Sequence, residues 1–370
     1  MNSKERLQLV FDHKEPDRVP VKVDFVPEVL QKLKSKHKIK KDIGSSDSDI
    51  ANLNIDYDID TYFEHDLLIL EYGMGSGYYR EFEPGEDTYT TEWGITWKKM
   101  SYKTKFGEGY YTEIVDFPLA AADAIDNYAP PNPEDEDMSL VDYVMNKYGK
   151  DYYICGNIGC SVFEALKYLR GLTKSLEDLL INKEIAHRIM NISVDYHLKL
   201  GYKLIEKGVD MLLLADDVGG EHSMLMSPKT FREFMKPKLS YMIDEFKRKN
   251  KNIKIAWHSD GYIIPILDDL VEIELDVLNP IQPESMDPTY IKKRYGNNLC
   301  LWGTVSTQKT FPYGKPKDVE NETIDRIRNC APGGGFLIAP THNIQLDVPE
   351  ENLFAFYNTV KKCGKYPINL

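Results

Sequence analysis

The sequence predicts an α/β fold with a parallel sheet covered by helices, and three observations support this prediction. From about residue 150 onward, short apolar runs alternate with helix-like segments, a pattern typical of parallel β/α architecture. Several runs end in glycine or polar residues, as strands do at the ligand-binding rim of α/β barrels. The composition, 42% hydrophobic and 28% charged, is ordinary for a globular protein. A barrel with insertions can hold this length as one domain, which we expect over 1–370.

The predicted elements after residue 150 follow one another in a regular order. Strands are expected over 151–158, 209–215, 253–257, 276–278, 299–302 and 335–339. Helices are expected over 162–170, 184–207, 228–248, 263–273, 288–295, 316–329 and 350–362. The run at 209–215 is apolar almost throughout, as expected for a strand buried on both faces. Ser227 and Pro228 provide an N-cap and a first helical residue for the segment that follows.

The first 150 residues are less regular. A strand is expected over 18–24 and a helix over 28–37. Residues 77–115 are rich in tyrosine, threonine and tryptophan with interspersed glycines, which favours antiparallel hairpins. We expect these hairpins to be inserted near the mouth of the barrel.

Charge and cysteine content limit the classes of partner. A net charge of −13 argues against nucleic-acid and anionic-membrane binding, because both need a positive surface. No apolar run approaches the roughly 20 residues of a membrane span, and the N-terminus lacks the apolar core of a signal peptide. The five cysteines are scattered and include no Cys-x-x-Cys pair. We therefore expect a cytoplasmic protein with reduced thiols that acts on a small molecule.

A histidine and an acid two residues apart follow the strand expected over 253–257. Residues i and i+2 of an extended segment point the same way, so His258 and Asp260 can converge on one ligand. They could form a metal pair, or a base with a substrate-binding acid. The structural alternative is that Asp260 caps the next helix while His258 donates to a backbone carbonyl. His342 also follows an expected strand, and together with His258 it is a candidate metal ligand.

Acidic and amide side chains follow three other expected strands. Asp216 and Asp217 end the strand at 209–215, and Glu221 follows two glycines that allow a sharp turn. We expect Asp216 to bind substrate, Asp217 to be catalytic and Glu221 to be a possible fourth metal ligand; a solvated loop is the alternative. Three amides are further candidates for substrate binding, with turn formation as the alternative: Asn279, Gln282 and Gln308.

These motifs, taken together and in order, resemble the uroporphyrinogen decarboxylase superfamily, and within it the corrinoid-dependent methyltransferase-like branch. The resemblance implies a (β/α)8 TIM barrel with its site at the carboxyl ends of the strands. The motifs that support it begin with Arg6 and residues 13–20 and continue through 163–171, Asp216-Asp217-x-Gly219, His258-Ser-Asp-Gly261, Asn279-Pro280-x-Gln282, Gly333-Gly334-Gly335, His342-Asn343-x-Gln345 and 348–352.

Two departures from the family pattern affect the expected function. Decarboxylases of this family share an arginine-rich N-terminal signature, whereas residues 21–27 here contain no arginine. Haem-pathway decarboxylation is therefore disfavoured, because arginine is the residue that clamps carboxylates. The methyltransferase relatives bind zinc through a His-x-Cys pair and a distant cysteine. Here His258 fits the first position, Asp260 replaces the cysteine, and His342 lies near the third position.

Three functions remain open. The resemblance favours a methyltransferase that moves a methyl group between a corrinoid on a separate partner protein and a small molecule such as tetrahydrofolate or a thiol. Its zinc would be bound by His258, Asp260 and His342, with Glu221 as the possible fourth ligand. The second possibility is a metal-free decarboxylase or lyase on a small carboxylic acid, in which Asp217 or His342 handles the proton. The third is a non-catalytic ligand-binding protein on the same scaffold.

Overall fold

A curled, seven-stranded parallel sheet forms the centre of the molecule in the computed structural model, which describes residues 1–39, 57–77, 82 and 85–370. The strand order along the sheet is β1-β5-β6-β7-β8-β9-β10. A separate antiparallel sheet has the order β2-β3-β4. The strands are Leu67–Glu71 (β1), Thr88–Thr90 (β2), Thr96–Thr104 (β3), Gly107–Asp116 (β4), Tyr153–Asn157 (β5), Met211–Ala215 (β6), Lys254–His258 (β7), Val277–Asn279 (β8), Cys300–Trp302 (β9) and Phe336–Leu337 (β10).

The segment 20–25 lies between the last and the first strand of the parallel sheet. Ile338 donates its N–H to the Pro20 carbonyl and accepts the N–H of Lys22, at 3.0 and 3.2 Å. On the other side, Asp66 donates its N–H to the Val21 carbonyl at 2.9 Å. The sheet therefore curls towards closure, as in a TIM-barrel-like fold.

The strand expected over 18–24 is not a regular strand, and the prediction was wrong there. The segment forms only isolated bridges, among them Val21 with Ile338 and Phe25 with Ile344. Pro20 has no N–H to donate, and the N–H of Val21 binds the side chain of Asp66 at 2.9 Å instead of a backbone carbonyl. Both features interrupt the ladder that a regular strand would need.

Side chains alternate between two apolar clusters along the parallel strands. Met211 and Leu213 belong to the cluster inside the curled sheet, while Leu212 and Leu214 belong to the larger cluster between the sheet and its helices. This alternation is the expected geometry of a strand buried on both faces. The helix Ser3–Phe11 contributes Leu7, Val10 and Phe11 to the inner cluster and so covers the amino-terminal end of the strands.

Fourteen helices are present in the described part of the chain, and most of those expected after residue 150 are observed. They are Ser3–Phe11 (α1), Pro27–His37 (α2), Tyr57–Tyr62 (α3), Ser139–Tyr148 (α4), Phe163–Arg170 (α5), Leu172–Ile181 (α6), Lys183–Lys207 (α7), Pro228–Phe234 (α8), Lys236–Lys249 (α9), Leu267–Glu272 (α10), Pro288–Tyr295 (α11), Thr310–Tyr313 (α12), Pro316–Cys330 (α13) and Glu350–Cys363 (α14).

Two of the expected helices are divided in the structure. The helix expected over 228–248 ends at Phe234 and restarts at Lys236, because Pro237 cannot donate the hydrogen bond of a continuing helix. The helix expected over 263–273 begins as the 3-10 turn Ile264–Ile266, which contains Pro265, and then becomes α10. Neither change moves a candidate site residue.

The antiparallel sheet lies within the region where hairpins were expected. β3 and β4 pair along most of their length, and β2 pairs with the start of β3. Thr104 donates its hydroxyl to the Leu346 carbonyl at 3.5 Å, which brings the β3–β4 turn near the loop that follows His342. The expected hairpin region includes 78–81 and 83–84, which lie outside the described residues. None of the helices described is long and apolar enough to cross a membrane.

Candidate functional site

A cleft of about 1150 Å³ opens at the carboxyl ends of the parallel strands. Its wall includes the last residues of six of them, among which the polar ones are Glu71 of β1, Asn157 of β5, His258 of β7 and Asn279 of β8. Asp217, which follows β6, and His342, which follows β10, line it too. Because parallel strands end at the same edge of a sheet, residues far apart in sequence meet here.

His258, Asp260 and His342 form a compact group at this edge. Each offers one ligand atom, and these atoms lie within 4.8 Å of one another. His258 Nε2 is 3.8 Å from an Asp260 carboxylate oxygen, and the two imidazole ring centres are 6.1 Å apart. Two imidazole nitrogens and a carboxylate oxygen are donors that suit Zn²⁺. Catalytic zinc sites commonly have three protein ligands, which is the number that this group offers.

Asn279 fixes the orientation of the His258 ring. Asn279 Nδ2 donates to the Trp302 carbonyl at 3.1 Å, which turns its Oδ1 towards His258 Nδ1 at 2.6 Å. His258 therefore donates from Nδ1, and the lone pair of Nε2 faces the carboxylates. Asn279 also lines the cleft, so the expectation that it offers its amide to a substrate stays a prediction.

Asp217 and Gln282 complete the environment of Asp260. Asp217 accepts the Asp260 N–H at 2.9 Å and has a carboxylate oxygen 3.7 Å from His258 Nε2. Gln282 donates to Asp260 Oδ1 at 3.2 Å and accepts the N–H of Gly261 at 2.6 Å. Gln282 thus holds the Asp260 loop, and the expectation that it binds substrate stays a prediction. Burial lowers the pKa of His258, but the carboxylates of Asp260 and Asp217 outweigh this effect and raise it overall.

Asp216 has a structural position, contrary to the expectation that it binds substrate. It is fully buried and accepts the backbone N–H groups of Val162 and Glu164 at 2.8 and 3.0 Å, at the start of α5. Trp257 Nε1 lies 3.4 Å from its second oxygen. Burial raises the pKa of Asp216 to about 7, although the two N–H groups act in the opposite direction. The carboxyl group therefore serves the fold and faces away from the cleft.

Glu221 and Gln308 lie apart from the group, so their expected roles are not supported. The loop after β6 turns back on itself, because Leu225 donates to the Val218 carbonyl and Gly220 to that of Ser223. This turn leaves the Glu221 side chain 64% exposed, and it is not a member of the candidate metal group. Gln308 is exposed and does not line the cleft.

Many polar residues of the cleft were not predicted from the sequence, among them Glu71, Asn157, Glu164 and Lys167. Glu71 accepts a hydrogen bond from Asn157 at 2.7 Å. Solvent in the open cleft reaches Glu71, yet protein surrounds it, and this burial raises its pKa to about 7. Glu164 pairs with Lys167 at 2.6 Å. Glu71 directly follows the apolar run at 67–70, and recognising that run as a strand would have placed it at the rim.

Comparison with known proteins agrees with this architecture. A uroporphyrinogen decarboxylase of Trichodesmium erythraeum is 21% identical over 262 residues, covering 68% of this chain and 70% of the relative. A methylcobamide:CoM methyltransferase of Methanosarcina barkeri is 25% identical over 219 residues, covering 59% of this chain and 60% of the relative.

One solved structure, a methyltransferase from Methanosarcina mazei, superposes with a TM-score of 0.67 at 18% identity and covers 98% of this chain and 99% of that one. At this identity the likeness shows the fold alone. A sequence model of the uroporphyrinogen decarboxylase family matches residues 94–363, well over half of the chain. The chain therefore belongs to the uroporphyrinogen decarboxylase (URO-D) family.

Proposed function

We propose that this chain is a metal-dependent methyltransferase that moves a methyl group between a corrinoid, carried by a separate partner protein, and a small molecule such as tetrahydrofolate or a thiol. The observation that carries the proposal is the grouping of His258, Asp260 and His342 at the rim of a large cleft. Methyltransferases are among the relatives of both sequence and fold. The five cysteines are free thiols, which suits the cytoplasmic location that we infer.

The residues around the group have separate tasks in this proposal. His258, Asp260 and His342 would hold zinc, and a bound zinc ion would supply a Lewis acid to the group that gives or takes the methyl. Asn279 accepts a hydrogen bond from His258 Nδ1 and so keeps the Nε2 lone pair of His258 directed towards the carboxylates of Asp217 and Asp260. Asp217 lies 3.7 Å from that nitrogen and can receive a proton released by the small molecule.

The decarboxylase alternative lacks a recognition element among the described residues of the cleft. A substrate carboxylate is ordinarily held by an arginine or an unpaired lysine. The two lysines that line the described cleft, Lys22 and Lys167, are each paired with carboxylates of the protein. Methyl transfer is therefore the function that the geometry supports best.

The test is methyl transfer from free methylcobalamin to a panel of thiols and to tetrahydrofolate, using zinc-loaded protein. We expect wild-type turnover to fall by at least about a hundredfold in His258→Ala and His342→Ala, as expected for lost metal ligands. Glu221→Ala is the matched control and should keep wild-type activity. Full activity in both histidine variants would contradict the proposal.

A further inference from the structure

The charge of the cleft is the first of two observations that identify a class of ligand. Its two lysines are neutralised within the wall: Lys22 lies 2.7 Å from Asp60 and 3.1 Å from Asp24, and Lys167 lies 2.6 Å from Glu164. Carboxylates outnumber lysines three to one among the described lining residues: Asp24, Asp60, Glu71, Glu92, Glu164 and Asp217.

The excess of negative charge persists with a metal bound. With histidine neutral, the six carboxylates and two lysines give the wall a formal charge of −4. Adding Asp260 and a divalent ion changes this to −3, and a protonated Glu71 would leave −2. A cleft with one sign of charge and walls of low dielectric attracts ligands of the opposite sign.

A pair of tyrosines is the second observation. Four tyrosines of the antiparallel sheet line the cleft. Tyr102 and Tyr111 lie on one face of that sheet, whereas Tyr89 and Tyr110 lie on the other, where Lys99 Nζ is 4.3 Å from the centre of the Tyr110 ring. The rings of Tyr102 and Tyr111 lie 6.4 Å apart at 43°. Gly109 makes room for the first ring, because a Cβ atom there would come within 2.7 Å of it. Faces of aromatic rings attract cations, and methylated ammonium groups are characteristic ligands of such clusters.

We propose that the cleft selects a methyl-bearing organic cation, a quaternary ammonium or sulfonium compound, held between the rings of Tyr102 and Tyr111 and the carboxylates of the cleft wall. The identification of this cation as the methyl donor rests on the proposed function, whereas its binding does not. The acidic wall supplies long-range attraction, and the tyrosines supply contacts that a hydrated inorganic cation could not make.

Binding can be measured without catalysis, by calorimetry on metal-free and zinc-loaded protein. Three probes have nearly the same shape and differ in charge: choline, 3,3-dimethylbutan-1-ol and 3,3-dimethylbutanoate. We expect choline to bind at least about tenfold more tightly than the neutral alcohol and the anion to bind most weakly. Equal binding of choline and the alcohol, or tightest binding of the anion, would overturn the proposal.

Variants separate the two contributions. Tyr111→Leu should weaken choline binding and leave the alcohol almost unaffected, whereas Tyr241→Leu, outside the cleft wall, should change neither. At pH 8, above the Glu71 pKa of about 7, Glu71→Gln removes a charge but keeps an acceptor for Asn157, and should lower choline affinity without loss of thermal stability. Loss of alcohol and choline binding in equal measure in both cleft variants would contradict the proposal. Selective choline binding without methyl transfer from any donor would instead overturn only the proposed function.

Discussion

Replacing Asp216 by alanine removes the acceptor of two backbone N–H groups at the start of α5. Both groups, on Val162 and Glu164, donate to one oxygen of a side chain that has no solvent exposure. Each buried donor left without a partner costs about 1–3 kcal/mol. Part of this loss of stability is offset, because burial of the Asp216 carboxyl group is itself unfavourable and the alanine variant lacks that group. We therefore expect the free energy of unfolding to fall by about 2–4 kcal/mol.

Urea denaturation followed by circular dichroism measures this change, with the slope of the transition checked against wild type. Asp217→Ala is the matched control: the neighbouring carboxylate lines the cleft, so its loss should cost activity but less than about 1 kcal/mol of stability. Asp216→Asn keeps an oxygen for both N–H groups and should lie between alanine and wild type. An Asp216→Ala protein with wild-type stability but impaired ligand binding would refute the structural role.

Three further predictions concern Asn279, the pair Glu221 and Gln308, and the buried His197. Asn279→Ala should weaken zinc affinity by about 10–100-fold, as loss of a ligand-orienting partner does, measured by competition with a chelator; unchanged affinity would contradict it. Glu221→Ala and Gln308→Ala should leave zinc affinity and activity unchanged. A loss of zinc affinity in the first would support Glu221 as a metal ligand, and a loss of activity in the second would support Gln308 as a substrate-binding residue. Burial lowers the pKa of the His197 imidazole from 6.5 to about 4. The contribution of this buried neutral histidine to the free energy of unfolding is therefore present above pH 6.5 and is lost as the pH falls to 4. That loss, at most about 3 kcal/mol, should be missing in His197→Gln denaturation curves.

The strands after residue 150 could be predicted because each is a short apolar run followed by a helix. β1 has the same local signal, the apolar run at 67–70, but the antiparallel strands β2 to β4 follow it and its neighbour β5 begins 86 residues later: Leu67 pairs with Tyr153. The regular alternation of strand and helix that identified the later strands is therefore absent around β1. The candidate residue Glu71 was missed for the same reason.

The different positions of Asp216 and Asp217 could have been predicted from the alternation of side chains along β6. Along β6, Met211 and Leu213 face the inside of the curled sheet, and Ala215 and Asp217 line the cleft. Continuing this alternation past the strand end sends Asp216 to the helix side. The same alternation brought His258 and Asp260 to one side, as expected from their spacing. The exposure of Glu221 and Gln308 depends on loop turns that alternation does not describe.

The metal content of purified protein shows whether His258, Asp260 and His342 bind zinc. Wild type, His258→Ala, His342→Ala and Glu221→Ala are incubated with zinc, freed of excess ion and measured by inductively coupled plasma mass spectrometry. We expect about one zinc per chain in wild type and in Glu221→Ala, and far less in both histidine variants. Equal zinc in all four proteins, or none in wild type, would contradict a metal site formed by His258, Asp260 and His342.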